Sequence, residues 1–224
     1  MDASKPRRLE GRRILLGVTG GIAAYKALDL VGRLRDDGCD VRVVMTRAAT
    51  NFVTPLSFQA RSANPVYTDM WELAQSAAIE HIEYARWADL LVVAPATAHT
   101  LAKFALGLAD DPLSTLYLAY DGPTVVAPAM NAVMWRHPAT VAHARTLAER
   151  GVVFVAPVEG ALACGEIGVG KMAPVETVVE AAVAALARTR AGAVPAPLSD
   201  LKGCRVLVTA GPTRRVEAQW SLIP

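Results

Sequence analysis

The stretch Arg13-Ile14-Leu15-Leu16-Gly17-Val18-Thr19-Gly20-Gly21-Ile22-Ala23 decides the fold. Its apolar run, Ile14 to Val18, has the length of a buried strand, and Thr19-Gly20-Gly21 supplies the tight turn that must follow. From Ala23 to Arg35 the apolar residues recur at helical spacing. Strand, turn and helix in that order open a parallel α/β sheet. Arg12-Arg13 ahead of an apolar run also outlines an export signal. The run breaks at Gly20-Gly21, however, and then meets Lys26 and Asp29, so strand and helix fit better than export.

Downstream the same alternation continues. Apolar runs at Val41–Met45, Leu90–Ala94, Val125–Ala127 and Val152–Val155 read as strands. Helical patterns cover Leu101–Ala105, Leu113–Ala119, Ala139–Arg150 and Val175–Ala187. The predicted fold class is α/β: a doubly wound parallel sheet in three layers, flavodoxin-like or Rossmann-like. Ligands of such sheets bind outside the carboxyl ends of the strands. Thr19-Gly20-Gly21, Thr46-Arg47, Pro95 to Thr100, Pro128 to Trp135 and the loop leading to Cys164 all follow such ends, whereas His81 opens the helical stretch before Leu90.

With 23 basic and 21 acidic residues among 224, the net charge of +2 is too small and too dispersed to argue for nucleic acid. Lys5 to Arg13 reads as a solvated leader. No apolar stretch approaches the length of a membrane span, so no membrane partner and a cytoplasmic location are expected. Cys39, Cys164 and Cys204 lack the paired spacing of a zinc site and read as free thiols in a reducing compartment; no metal is expected. Residues 1–190 are expected to form one domain, 191–200 a Pro/Ala linker, and 201–224 a tail too short to build a core.

Five segments carry possible chemistry. The Gly20-Gly21 turn aims backbone amides at an anion. It lacks Gly-x-Gly-x-x-Gly spacing, and Met45-Thr46-Arg47 stands where an acidic residue would hold a ribose, so a mononucleotide phosphate suits it better than NAD. A turn without ligand is the plain alternative. Thr97 and Thr100 either cap a helix or touch a cofactor. His81, in Glu80-His81-Ile82-Glu83, is either a base or an ordinary surface or core histidine, and its flanking glutamates would favour the protonated ring if they came close. Asn131 either satisfies backbone groups or donates to a carboxylate, with Met130, Met134 and Trp135 as an apolar wall. Cys164 lies among Gly160, Gly165, Gly168 and Gly170, a density that suits a mobile flap as well as an ordinary loop, and Lys171 could reach a substrate phosphate.

Three of these segments together carry a resemblance. Pro128-Ala129-Met130-Asn131-Ala132-Val133-Met134-Trp135, Ala163-Cys164-Gly165-Glu166 and the His81-Ile82-Glu83 run resemble the flavin-dependent phosphopantothenoylcysteine decarboxylases of coenzyme A biosynthesis, in register over residues 11–190. The resemblance implies the homo-oligomeric flavin-containing cysteine decarboxylase fold and FMN. The implied FMN contacts are Gly20, Gly21, Ile22, Thr46, Arg47, Thr97, Ala98, His99, Thr100 and Ala129. Catalytic roles fall on His81 as base, Asn131 as carboxylate grip and Cys164 as proton donor. Asn131, Met134, Ala163 and Lys171 are the implied substrate contacts.

The implied reaction converts 4′-phosphopantothenoylcysteine to 4′-phosphopantetheine. The substrate thiol is oxidised to a thioaldehyde, the carboxylate leaves, and the enethiolate is reduced, so no NAD(P)H is consumed. The implied assembly is a trimer or a multiple of trimers. Relatives often carry Asn at His99, Asp at Glu166 and Arg at Lys171. Arg205 to Arg214 resembles the opening strand of the ligase that bacteria fuse behind this decarboxylase, and residues 201–224 are expected to be its remnant or an added tail without ligase activity. Alternatives are a peptidyl-cysteine decarboxylase, which the Cys164 segment disfavours, and an FMN-binding regulatory subunit of a phosphatase. Flavin prenyltransferases share the fold without the Pro-x-Met-Asn-x-x-Met-Trp segment.

Overall fold

A computed structural model describes residues 7–71, 80–161, 165 and 167–190. The chain divides into residues 1–193 and 194–224, and the second unit lies outside the described residues, as do the linker and tail. The elements run β1 (Arg13–Val18), α1 (Ala24–Asp36), β2 (Asp40–Met45), α2 (Pro55–Ser62), β3 (Val66–Tyr67), α3 (Glu80–Trp87), β4 (Leu90–Ala96), α4 (Ala98–Leu106) and α5 (Pro112–Ala119). They continue with β5 (Thr124–Pro128), α6 (Ala132–Arg136), α7 (Pro138–Glu149), β6 (Val153–Phe154), β7 (Val158–Ala161), β8 (Ile167–Lys171) and α8 (Val175–Arg190).

Among the described residues β1 to β6 form one parallel sheet in the order β3-β2-β1-β4-β5-β6. Without the two-residue edge strand β3, the order is that of flavodoxin; with it, the order is that of the Rossmann sheet. Both orders reverse between β1 and β4, the place where sheets of this kind bind their ligands.

The strands are apolar on both faces because both are covered. Ile14, Leu16 and Val18 join one core cluster with Leu30, Leu34, Phe58 and Val178, which come from α1, α2 and α8. Leu15 joins the other with Leu101, Phe104, Leu113, Leu116 and Leu147, from α4, α5 and α7. Val92 and Val93, and Val125 and Val126, divide in the same way. This period of two along each strand is what places helices on both sides.

Several expectations need correction. Lys5 to Arg13 does not read as a solvated leader where it is described. Leu9 is buried, its N–H donates to Asp37 O at 3.1 Å, and Arg8 pairs with Asp37 and Glu180 at 2.9 and 2.6 Å. Helix α2 and strand β3 fall in a stretch with no predicted element; β3 is too short to show an alternating pattern, and only Phe58 and Ser62 of α2 are buried. Pro95 lies inside β4, after an Ala94–Pro95 cis peptide, at the register shift against β5. The glycine-rich segment is no open loop in its described arms: β7 and β8 pair as an antiparallel hairpin.

Candidate active site

The residues at the carboxyl edge of β1, β2, β4 and β5 are tied to one another by hydrogen bonds and close packing. Thr19, 1% exposed, donates from Oγ1 to Pro95 O at 2.8 Å and accepts from Thr97 N at 3.0 Å, joining the turn after β1 to the turn after β4. Gly20 lies against Ala48 of the turn after β2, where a Cβ would strike that residue's backbone. Gly21 is open apart from the Thr97 methyl at 4.0 Å. Ala129 N donates to Ala96 O at 3.0 Å, and Met130 N to Gly170 O at 2.9 Å, so the segment before α6 is held between β4 and the hairpin.

Thr97 is the N-cap of α4, and Thr100 in its first turn is its partner. Thr97 Oγ1 accepts from Thr100 N at 3.3 Å, and the two hydroxyls are 3.1 Å apart. Thr100 is buried, Ala98 half-buried and His99 exposed. Helix α1 differs: Ala23 precedes it and no side chain caps it. Ala24 N already donates to Gly21 O at 2.9 Å and Lys26 N to Ala23 O at 3.0 Å, so only the remaining N–H groups of this start can meet a solvent or ligand acceptor. Thr46 Oγ1 accepts from Ala49 N at 3.3 Å, while Arg47 and Ile22 are exposed.

Asn131 is the N-cap of α6, its Oδ1 accepting from Val133 N at 2.7 Å. With that oxygen facing the backbone, the Nδ2 end can only donate. The expected apolar wall is split: Met130 and Trp135 pack against the α4/α5 core, but Met134 is exposed within this chain. A groove of about 590 Å³ lies between α6 and β8, lined by Ala132, Val133, Trp135, Arg136, Ile167 and Val169. Gly168 and Gly170 serve the docking of the hairpin. A Cβ on Gly168 would press on Ala132, and one on Gly170 would strike Met130 O. Gly170→Ala is therefore expected to destabilise the fold by about 1–3 kcal/mol, read as a lowered denaturant midpoint. An unchanged midpoint would contradict this docking.

His81 is half-buried as the second residue of α3, which packs on α5, whereas α6 with Asn131 packs on α7 and β8. Because α3 runs into the start of β4, its first turn points toward the carboxyl edge. Glu83 reaches Arg42 at 3.6 Å, so that glutamate serves a different cation. Cys164, Ala163 and Glu166 lie outside the described residues.

Lys26, read in the sequence only as a charge that ends an apolar run, stands near the site. Burial first, and then the positive charge of Lys171, hold its pKa below the ordinary lysine value. Among the described residues neither lysine forms an ion pair. Its signal was the single charge in the first turn of α1. Thr19 was read only as part of a turn, although a polar residue ending an all-apolar strand marks a buried bond. No group of three metal-binding side chains occurs among the described residues, and no described helix is long and apolar enough to cross a membrane.

An uncapped helix start beside a strand-order reversal, with Lys26 and Lys171 near each other, is the arrangement of an α/β protein of the doubly wound class, whose ligands bind at that edge. The sequence matches the Flavoprotein family over residues 2–187, and the chain belongs to that family. Over 206 residues it is 48% identical to the coenzyme A biosynthesis bifunctional protein CoaBC of Escherichia coli (strain K12), covering 92% of this chain and 48% of that protein. The protein of the same name from Bacillus subtilis (strain 168) is 45% identical, with 92% and 49% covered. The chain thus spans about half the length of these curated relatives. A solved cysteine-to-serine variant of a PPC decarboxylase, complexed with pantothenoylaminoethenethiol, superposes with a TM-score of 0.70 at 35% identity, covering 77% of this chain and 97% of that one. The FMN-dependent cysteine decarboxylase SpaF gives 0.72 at 35%, covering 81% and 99%. This chain has the fold these decarboxylases share.

Proposed function

We propose that this chain is an FMN-dependent decarboxylase that converts 4′-phosphopantothenoylcysteine to 4′-phosphopantetheine. The observation that carries the reading is the juxtaposition of the Gly20-Gly21 turn, open at Gly21, with the Thr97 cap and the Asn131 segment at the carboxyl edge of the sheet, in a chain 48% identical to a CoaBC protein. The 48% identity to a coenzyme A biosynthesis protein is what favours the phosphorylated small substrate.

The residues present fit a mononucleotide. The uncapped start of α1 offers N–H donors to a phosphate, with Gly20, Gly21, Ile22, Thr46 and Arg47 on one side of the crevice. Thr97, Ala98, His99, Thr100 and Ala129 stand on the other. Bound FMN supplies a two-electron acceptor that later returns both electrons, so the net reaction needs no pyridine nucleotide.

Everything else falls to the protein. Asn131 Nδ2 donates to the substrate carboxylate and aims it for departure, while Met130 and Trp135 keep water from the place it leaves. His81 takes the proton of the substrate's cysteinyl thiol as that carbon is oxidised. Cys164 gives its thiol proton to the enethiolate carbon in the closing reduction. A relative's cysteine-to-serine variant solved with an enethiol supports that assignment. Lys171, with Lys26, holds the substrate phosphate, and Met134 and Ala163 line its path. An anionic ligand accounts for two lysines brought together without an ion pair among the described residues.

The assembly is a homo-oligomer built from trimers. Ile22, Tyr25, Phe52, Met134 and Ile167 are all exposed, at 60%, 59%, 49%, 48% and 79%, and a neighbouring copy would cover such surface. Residues 1–190 carry the whole activity in a cytoplasmic enzyme, because every residue given a role here lies within them.

The test is FMN titration of purified chain. Uptake of one flavin per chain, released on boiling, is expected. Folded protein that stays colourless in excess FMN would overturn the reading.

A further inference from the structure

Lys103 is the one charged residue that is buried among the described residues, at 8% exposure. Its ammonium bonds Asp110 Oδ1 and Asp111 Oδ2, each at 2.6 Å, across the turn that follows Gly107. A lysine in such a place must be paired, and these partners set the geometry of the corner between α4 and α5. Asp111 does two things at once. Its other oxygen accepts from Ser114 N at 2.9 Å, and with the return bond from Asp111 N to Ser114 Oγ it forms the capping box of α5. Beside the clip, the rings of Phe104 and Tyr117 stack at 3.9 Å, binding the same two helices.

Both ends of this corner lead to the site. Thr97, Thr100 and Lys103 follow one another at intervals of three along α4, so the clip lies on the face that bears the cap. Helix α5 is the surface on which α3 packs, and α3 opens with His81 as its second residue.

We infer that Lys103 is a positioning residue: by locking α5 to α4, it fixes the seat of α3 and hence the place of the His81 ring. The inference rests on the proposed role of His81.

The experiment compares Lys103→Met, Lys103→Arg and His81→Asn as FMN-loaded full chains, measuring carbon dioxide release from 4′-phosphopantothenoylcysteine and flavin content. Lys103→Met is expected to bind a full equivalent of FMN with KM within about twofold of parental, while kcat falls about tenfold, as small misplacements of a catalytic group do. Lys103→Arg, which keeps the charge, should restore most of kcat. Parental kcat in Lys103→Met, or an equal loss in Lys103→Arg, would overturn the inference. If Lys103→Met does not fold, Asp110→Asn removes one arm and leaves the α5 cap intact; it should lower kcat without raising KM, and a parental kcat there would overturn the inference equally. A fully active His81→Asn would bring down the reading of His81 and this inference with it. An inactive His81→Asn beside a fully active Lys103→Met would bring down this inference alone.

Discussion

Replacing His81 by Asn is expected to leave the chain folded and yellow while carbon dioxide release falls by about 10²- to 10⁴-fold, the range a positioned acid or base contributes. The fold should not suffer. His81 is half-buried near the start of α3, and neither core cluster includes it. The helix is anchored farther along, by the Tyr84 ring against Tyr67 and by Arg42 over Tyr84 and Trp87. The flavin should not leave either, because the Gly20 turn and the Thr97 cap are built from other strand ends. Asparagine fills similar space and can hydrogen-bond, but it cannot take a proton. Release near the parental rate would remove His81 from the mechanism.

The second large effect is a change of product. Cys164→Ser replaces a thiol by a far weaker acid of nearly the same shape, so oxidation and decarboxylation should proceed while reduction of the enethiolate stalls. Mass spectrometry should find a product lacking carbon dioxide and two further hydrogens in place of phosphopantetheine. Under anaerobic conditions the flavin should stay bleached until oxygen is admitted. Saturated phosphopantetheine at the parental rate would make Cys164 a bystander.

Much of the scaffold was legible because the sheet is buried on both faces. Runs such as Ile14–Val18 and Leu90–Ala94 have to be apolar throughout, and the turns that close them have to be small or polar. The edge was not legible. Strand β3 has two residues, β2 as its only neighbour among the described residues, and no alternation to betray it. The hairpin was hidden for a different reason: Gly168 and Gly170 look like loop residues until Ala132 and Met130 O are seen to leave no room for a Cβ. At the site, positions after strand ends could be found from pattern alone, but the roles of backbone partners could not. Pattern leaves Thr97 and Thr100 open to cap or ligand; the bond from Thr100 N to Thr97 Oγ1 shows the cap, and the tie from Thr19 to Pro95 O and Thr97 N has no sequence signature. Lys26 and Lys103 carry ordinary helical spacing, and only burial and their charged neighbours, Lys171 for one and Asp110 with Asp111 for the other, distinguish them from surface lysines.

The central claim is tested most directly by one anaerobic incubation of the FMN-loaded chain with 4′-phosphopantothenoylcysteine, without NADH or NADPH, followed by mass analysis of the product. The account predicts 4′-phosphopantetheine, the substrate less carbon dioxide alone, formed over many turnovers with the flavin oxidised at the end. Unchanged substrate, or turnover that begins only when a pyridine nucleotide is added, would contradict it.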